Sequence, residues 1–130
     1  IVLRALKNVH FLGFVATEEY LACCDVLVVC SRFDGRPNVV MESQAMGVPV
    51  IASRTGALPQ MMEPGRTGLI VNDVGDVDGF AREIEDLLNN PERHEQMRRA
   101  ARQWAEERFS IIRSVEKYAE IFEKLAIGAA

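Results

Sequence analysis

The stretch SRFDGRPNVVMESQAMGVPVIAS, residues 31–53, passes from a turn into a helix and on into a strand. Asp34, Gly35 and Pro37 mark the turn, and proline suits a first helical turn because that position needs no N–H donor. NVVMESQAM then reads as a short apolar helix. It stops at Gly47, a residue able to take the left-handed conformation of a helix C′ position. Pro49 follows, and PVIAS (49–53) reads as a strand. A turn feeding a helix start presents free backbone N–H groups and the positive end of the helix dipole, which together suit an anion. Two carboxylates flank this feature, Asp34 and Glu42.

Outward from that stretch, three more β-rich runs appear: VHFLGF (9–14), VLVVCS (26–31) and GLIVN (68–72). All four runs are nearly continuous in apolar residues, the pattern of strands covered on both faces in a parallel sheet. Helical segments separate them. TEEYLACCD opens with Thr17 as N-cap and acids in its first turn, and ALPQMME reads as a short helix or turn. From Asp76 the character changes. Val77, Phe80, Ile84, Leu87 and Leu88 fall at helical spacing over 77–89, with Asp76 as cap. A second helix begins at Pro91, capped by Asn90, with Met97, Ala101 and Trp104 on one face. A third follows Ser110, with Val115, Ala119, Phe122 and Leu125 as its core-facing stripe, or as a surface for another domain. Strands alternating with helices predict an α/β fold with a Rossmann-like parallel sheet and flanking helices. The expected organisation is one partial domain over 1–130, alternating to residue 75 and helical over 76–127.

The chain has 130 residues, enough for one domain with a sizeable core. Its net charge of −4 offers no electrostatic reason to expect nucleic acid. The basic residues crowd into RHEQMRRAARQWAEER (93–108), where interleaved acids indicate a solvated helix face. No apolar run reaches the ~18 residues of a membrane span, and no secretory signal is evident. Cys23, Cys24 and Cys30 lie in apolar context and read as buried thiols of a reducing cytoplasm. His10, within an apolar run, reads as a packed residue. Neither it nor His94 has a second ligand at metal spacing. The chain starts with Ile1, which suggests a piece of something longer.

Glu42 lies one turn beyond Asn38 on the same helix face, and its Cβ leans toward the helix start. A carboxylate accepts two hydroxyl hydrogen bonds at once, which suits a ribose diol. Asp34, on the loop, could hold another polyol. The plainer alternative makes Asp34 a helix cap and Glu42 a solvated surface residue.

Five motifs occur in order: VxFLG (9–13), DVLVVxS (25–31), an acid and a Glu at positions 34 and 42, AMGVPVIAS (45–53) and TGLIV (67–71). In this series the chain resembles the C-terminal domain of GT-B glycosyltransferases, most closely the retaining family four, or group one, over about residues 8–123. The resemblance implies a truncated C-terminal half of that fold, which binds a nucleoside-diphosphate sugar, with no metal required. It makes Glu42 the ribose ligand and Asp34 the donor-sugar ligand. Gly35, Arg36, Pro37, Asn38 and Val39 become the loop and helix start near the phosphates and sugar, with Phe14 and Val15 near the base. Asp34 departs from the family's usual Glu and is one methylene shorter. TGALPQ (55–60) departs from the family's Gly-Gly-x-x-Glu, keeping Gly56 but with Ala57 and Gln60 at the second Gly and the acid, so Thr55, Gly56 and Gln60 carry little weight as site residues. The family's diphosphate-clamping Arg and Lys and its whole N-terminal domain lie upstream of this sequence. The resemblance further implies a cytoplasmic parent enzyme, able to lie at the inner membrane surface. By the strand order 3-2-1-4-5-6 of such sheets, the four runs correspond to the third to sixth strands. VHFLGF is then expected either to pair beside VLVVCS or to leave a sheet edge through which copies associate. Two other functions fit the pattern: a non-catalytic binding or assembly module, and a related GT-B enzyme such as a nucleotide-sugar epimerase.

Overall fold

The computed structural model describes residues 6–128. Its elements run α1 (Thr17–Leu21), β1 (Leu27–Val29), α2 (Asn38–Ala45), β2 (Val50–Ser53), a 3-10 turn (Leu58–Gln60), β3 (Gly68–Val71), α3 (Val77–Leu88), α4 (Pro91–Arg108) and α5 (Ile111–Gly128). The sheet is parallel in the order β1-β2-β3, with Val28 opposite Ile51 and Ile51 opposite Leu69.

The middle strand β2 is buried at all four positions. Its side chains alternate between two cores, as strand geometry requires. Val50 and Ala52 join Val29, Val40 and Leu58 on one side, beneath α2 and the 3-10 turn. Ile51 joins Leu69, Phe80, Leu87 and Met97 on the other, beneath α3 and the start of α4. The continuous apolar runs read from the sequence are the direct result of this double coverage.

Helix ends follow their capping residues. Asp76 Oδ1 accepts the Gly79 N–H at 2.8 Å, and Asn90 Oδ1 accepts the Arg93 N–H at 3.1 Å. Gly47 has φ of 70° at the end of α2, as a C′ glycine should. α4 completes that end. Arg98 Nε donates to the Gly47 carbonyl at 3.1 Å, and Arg102 Nη1 donates to the Ala45 carbonyl. Positive side chains here meet the negative end of the helix dipole as well as its unpaired carbonyls. On the outer face of α4, a hydrogen bond from Arg99 at 2.7 Å holds the Glu95 carboxyl below its usual range.

Several expectations are corrected. Residues 9–14 form no strand, and Phe11 and Phe14 are exposed. Parallel pairing needs a neighbour, and among the described residues β1 pairs only with β2. An apolar run without a strand beside it leaves its backbone groups to water. His10 is exposed with this run. Cys23 and Cys30 are exposed and Cys24 is half-buried; they lie in the segments just before and just after β1, an edge strand among the described residues. The N-cap of α1 is Ala16, with no side-chain cap bond, so Thr17 is already helical. On α3, Val77 and Leu88 are exposed at the two ends of the stripe. The α5 stripe is not core: Val115, Ala119, Phe122 and Leu125 are all exposed. A 3.6-residue period makes a helix two-sided without naming what covers its apolar side.

The carboxyl ends of β1 and β2 are latched together. The Ser53 hydroxyl, fully buried, donates to the Ser31 carbonyl at 2.7 Å. The Ala57 N–H donates to the Asp34 carbonyl at 3.3 Å. Between them Gly56 has φ of 54°, and a Cβ there would collide with the Asp34 carbonyl oxygen and carbon. Gly56→Ala therefore combines left-handed strain, on the order of 1–3 kcal/mol, with a backbone clash. It is expected to lower the thermal midpoint by several degrees in a calorimetric scan; an unchanged midpoint would show that the two loops are not held in contact.

Candidate functional site

The site lies at the carboxyl ends of the parallel strands, where α/β sheets of this kind bind ligands. β1 leads into the loop 30–37, and the loop leads into α2. Asp34 is half-buried there. Its carboxylate Oδ2 receives the Ser31 hydroxyl at a long 3.4 Å, while its carbonyl is held by the Ala57 N–H. Backbone and side chain of Asp34 are thus fastened to both strand ends.

Pro37 is the N-cap of α2 and supplies no side-chain acceptor. Asp34 is therefore not the helix cap that the plainer alternative required. The first N–H groups of α2, on Asn38 and Val39, have no intrahelical partner by helix geometry. They remain available to a ligand anion. Gly35 does not take a left-handed φ, and a Cβ added to it would meet nothing within 4 Å. Its turn therefore does not require glycine, and the open space beside it leaves room for a ligand to approach.

Glu42 is exposed on α2. Among the described residues its carboxylate takes no hydrogen bond and pairs with no cation. The opposite face of the helix fixes this orientation. Val40, Ser43 and Gln44 are fully buried. Ser43 Oγ donates to the Val48 carbonyl at 2.9 Å, and Gln44 Nε2 donates to the Met61 carbonyl at 2.9 Å. With Ser43 and Gln44 turned inward, the neighbouring Glu42 projects outward.

The side chain of Arg36 turns toward the last helices, its guanidinium 5.6 Å over the Phe109 ring. Phe14 and Val15 are exposed, and among the described residues no hydrogen bond ties either to the 34–42 segment. Asp34, Gly35, Arg36, Pro37, Asn38, Val39 and Glu42 therefore share one loop and helix start, while Phe14 and Val15 stand on a separate segment. The sequence reading gave Gly56 little weight, yet it allows the close approach that seats Asp34. The signal was its position just after a strand, in the loop that faces the Asp34 turn. Among the described residues no three His, Cys, Asp or Glu side chains gather into a metal-binding group.

Residues 2–90 match the family described as glycosyl transferases group 1. The chain is 33% identical over 128 residues to N-acetyl-alpha-D-glucosaminyl L-malate synthase of Bacillus anthracis, covering 93% of this chain and 33% of that protein. It is 42% identical over 113 residues to a GDP-mannose-dependent alpha-(1-6)-phosphatidylinositol monomannoside mannosyltransferase of Mycolicibacterium smegmatis, covering 79% of this chain and 29% of that one. Among solved structures, Anabaena HepE in complex with UDP and glucose superposes with a TM-score of 0.82 at 25% identity, covering 91% of this chain and 32% of that one. The chain thus spans about a third of the length of these proteins, and its three-stranded parallel sheet with flanking helices is part of the Rossmann-like fold of GT-B glycosyltransferases. By the motifs it carries, the fold it adopts and the family it matches, the chain belongs to the group 1 glycosyl transferases.

Proposed function

We propose that residues 1–130 are the donor-binding part of a retaining glycosyltransferase, which moves a sugar from a nucleoside-diphosphate sugar to an acceptor. The observation that carries this reading is the pairing of an unpartnered outward carboxylate, Glu42, with an uncapped helix start one turn away. A diol and an anion are the two features that such an arrangement serves, and a sugar nucleotide has both. HepE, with UDP and glucose bound, supports the same class of ligand. In this reading Glu42 holds the ribose hydroxyls and the N–H groups of Asn38 and Val39 face the diphosphate. Asp34 contacts the donor sugar, and Phe14 and Val15 lie by the base. The reaction needs no metal, and the whole protein works in the cytoplasm.

Calorimetric titration of UDP, GDP and ADP tests the assignment. One of the three is expected to bind, and Glu42→Ala to weaken it about tenfold or more, the order expected for hydrogen bonds to a charged group. Equal binding by the parent chain and the variant would remove Glu42 from the site. Asp34→Asn has a different signature. It should leave the nucleoside diphosphate nearly unchanged and weaken the matching nucleotide sugar, so that the two ligands converge in affinity. A uniform loss for both would place Asp34 elsewhere.

The chain alone should also lack useful transferase activity. In the family, the cations that clamp the leaving diphosphate and the lobe that holds the acceptor come from outside this stretch. Loss of one electrostatic contact to a developing charge costs about two to three orders of magnitude in rate. Release of free sugar or transfer product by this chain at the rate of an intact glycosyltransferase would refute the incomplete-site reading.

A further inference from the structure

A second, cationic cleft opens beside the loop that carries Asp34. It has a volume of about 310 Å³ and is lined by Arg36, Gln60, Trp104, Arg108, Phe109 and Lys117, together with Ala57 and Met61. That volume is at the lower end of the roughly 300–1,000 Å³ typical of small-molecule sites. Three separate parts of the chain supply its charges: the loop before α2, the last turn of α4, and α5. Among the described residues no carboxylate lines the cleft. Among the described residues, none of the three cations forms an ion pair, whereas Arg66, Arg99 and Arg102 all do. In a chain of net charge −4, three cations gathered without an acid among them make this cleft locally positive.

The aromatic residues hold the guanidinium groups. Arg108 lies 4.4 Å over the Trp104 ring and Arg36 lies 5.6 Å over the Phe109 ring. The Trp104 ring is itself anchored, its Nε1 donating to the Met61 carbonyl at 3.0 Å. Stacking engages the flat face of a guanidinium and leaves its N–H edge free, the edge that binds a phosphate bidentately. Lys117 adds a point charge and Gln60 an amide.

We propose that this cleft is an anion-binding subsite for a phosphoryl group, distinct from the ribose and sugar contacts of Glu42 and Asp34. The phosphoryl group has two available sources: the diphosphate of a nucleotide, entering past Arg36, or the phosphate of a second substrate that shares the site. The cleft does not depend on the nucleotide assignment, because its cations and its ring contacts stand without Glu42.

Trp104 is the only tryptophan of the chain, so its fluorescence reports this cleft directly. Titration of the full chain with inorganic pyrophosphate at constant ionic strength is expected to give a saturable change in Trp104 emission. Lys117→Gln and Arg36→Gln should each weaken the response about tenfold, in line with loss of a charge-assisted hydrogen bond. Lys124→Gln, on the same helix but outside the cleft, should not. Far-ultraviolet circular dichroism of each variant separates weakened binding from loss of fold. Glu42→Ala should leave the pyrophosphate response intact, so a failure of the ribose assignment is read separately from a failure here. The sources are told apart with UDP and with glycerol 3-phosphate. Loss of UDP affinity in Lys117→Gln identifies the nucleotide diphosphate. A glycerol 3-phosphate response that persists in saturating UDP identifies a second substrate. No saturable change with any of the three, or equal affinities in Lys117→Gln, Arg36→Gln and the parent, would overturn the proposal.

Discussion

The double burial of β2 is the constraint from which the rest of the architecture follows. Val50, Ile51, Ala52 and Ser53 have no solvent face. A strand in that position needs apolar cover above and below and a hydrogen-bonded neighbour on each edge. α2 and the 3-10 turn supply one cover, and α3 with the first part of α4 supplies the other. β1 and β3 supply the edges. Because all three strands are parallel, their carboxyl ends converge on one side, and the turns leaving them must share it. The hydroxyl of Ser53 uses this crowding to bond the Ser31 carbonyl, and Gly56 then brings its own turn against Asp34. The loop that bears the candidate site is therefore held by the sheet and by the neighbouring turn.

What the sequence revealed and what it hid divide along a physical line. Local chemistry was legible. Asp76 and Asn90 cap their helices, Gly47 ends α2, and the runs at 26–31, 49–53 and 68–72 contain the three strands, trimmed at their ends. Each depends on a few residues and their immediate neighbours. What depends on a partner was not legible. The run at 9–14 has strand composition and, among the described residues, no strand to pair with. The stripe of Val115, Phe122 and Leu125 has helical spacing and no cover among the described residues. Cys23 and Cys30 have apolar neighbours in sequence but are exposed in the fold. Periodicity reports that a face is apolar; only the fold reports whether anything packs on it.

The site residues divide the same way. The spacing of Asn38 and Glu42 foretold a shared helix face, because one turn is a local quantity. The importance of Gly56 was not foretold, because its steric partner is the carbonyl of Asp34, across two strand ends. Arg36 shows both sides of the problem. Its place in the loop was plain, yet its side chain is turned toward Phe109, which lies far along the chain.

The outward carboxylate of Glu42 is secured from the opposite side of its helix. A helix with one apolar residue buried can rotate a little about its axis at modest cost. α2 cannot, because Ser43 and Gln44 are buried polar groups with directional bonds to Val48 and Met61. Rotation would strand those donors inside the core, at a cost of about 1–3 kcal/mol each. Arg98 and Arg102 hold the far end of the same helix by its last carbonyls. The near end is left with no side-chain cap. Stability is thus concentrated on the inner face and the C-terminus of α2, while its N-terminus and outer face stay open. An element arranged for stability alone would also cap its first turn. In the proposed donor site those open positions, the helix start and Glu42 one turn later, are the ones assigned to the anion and the diol.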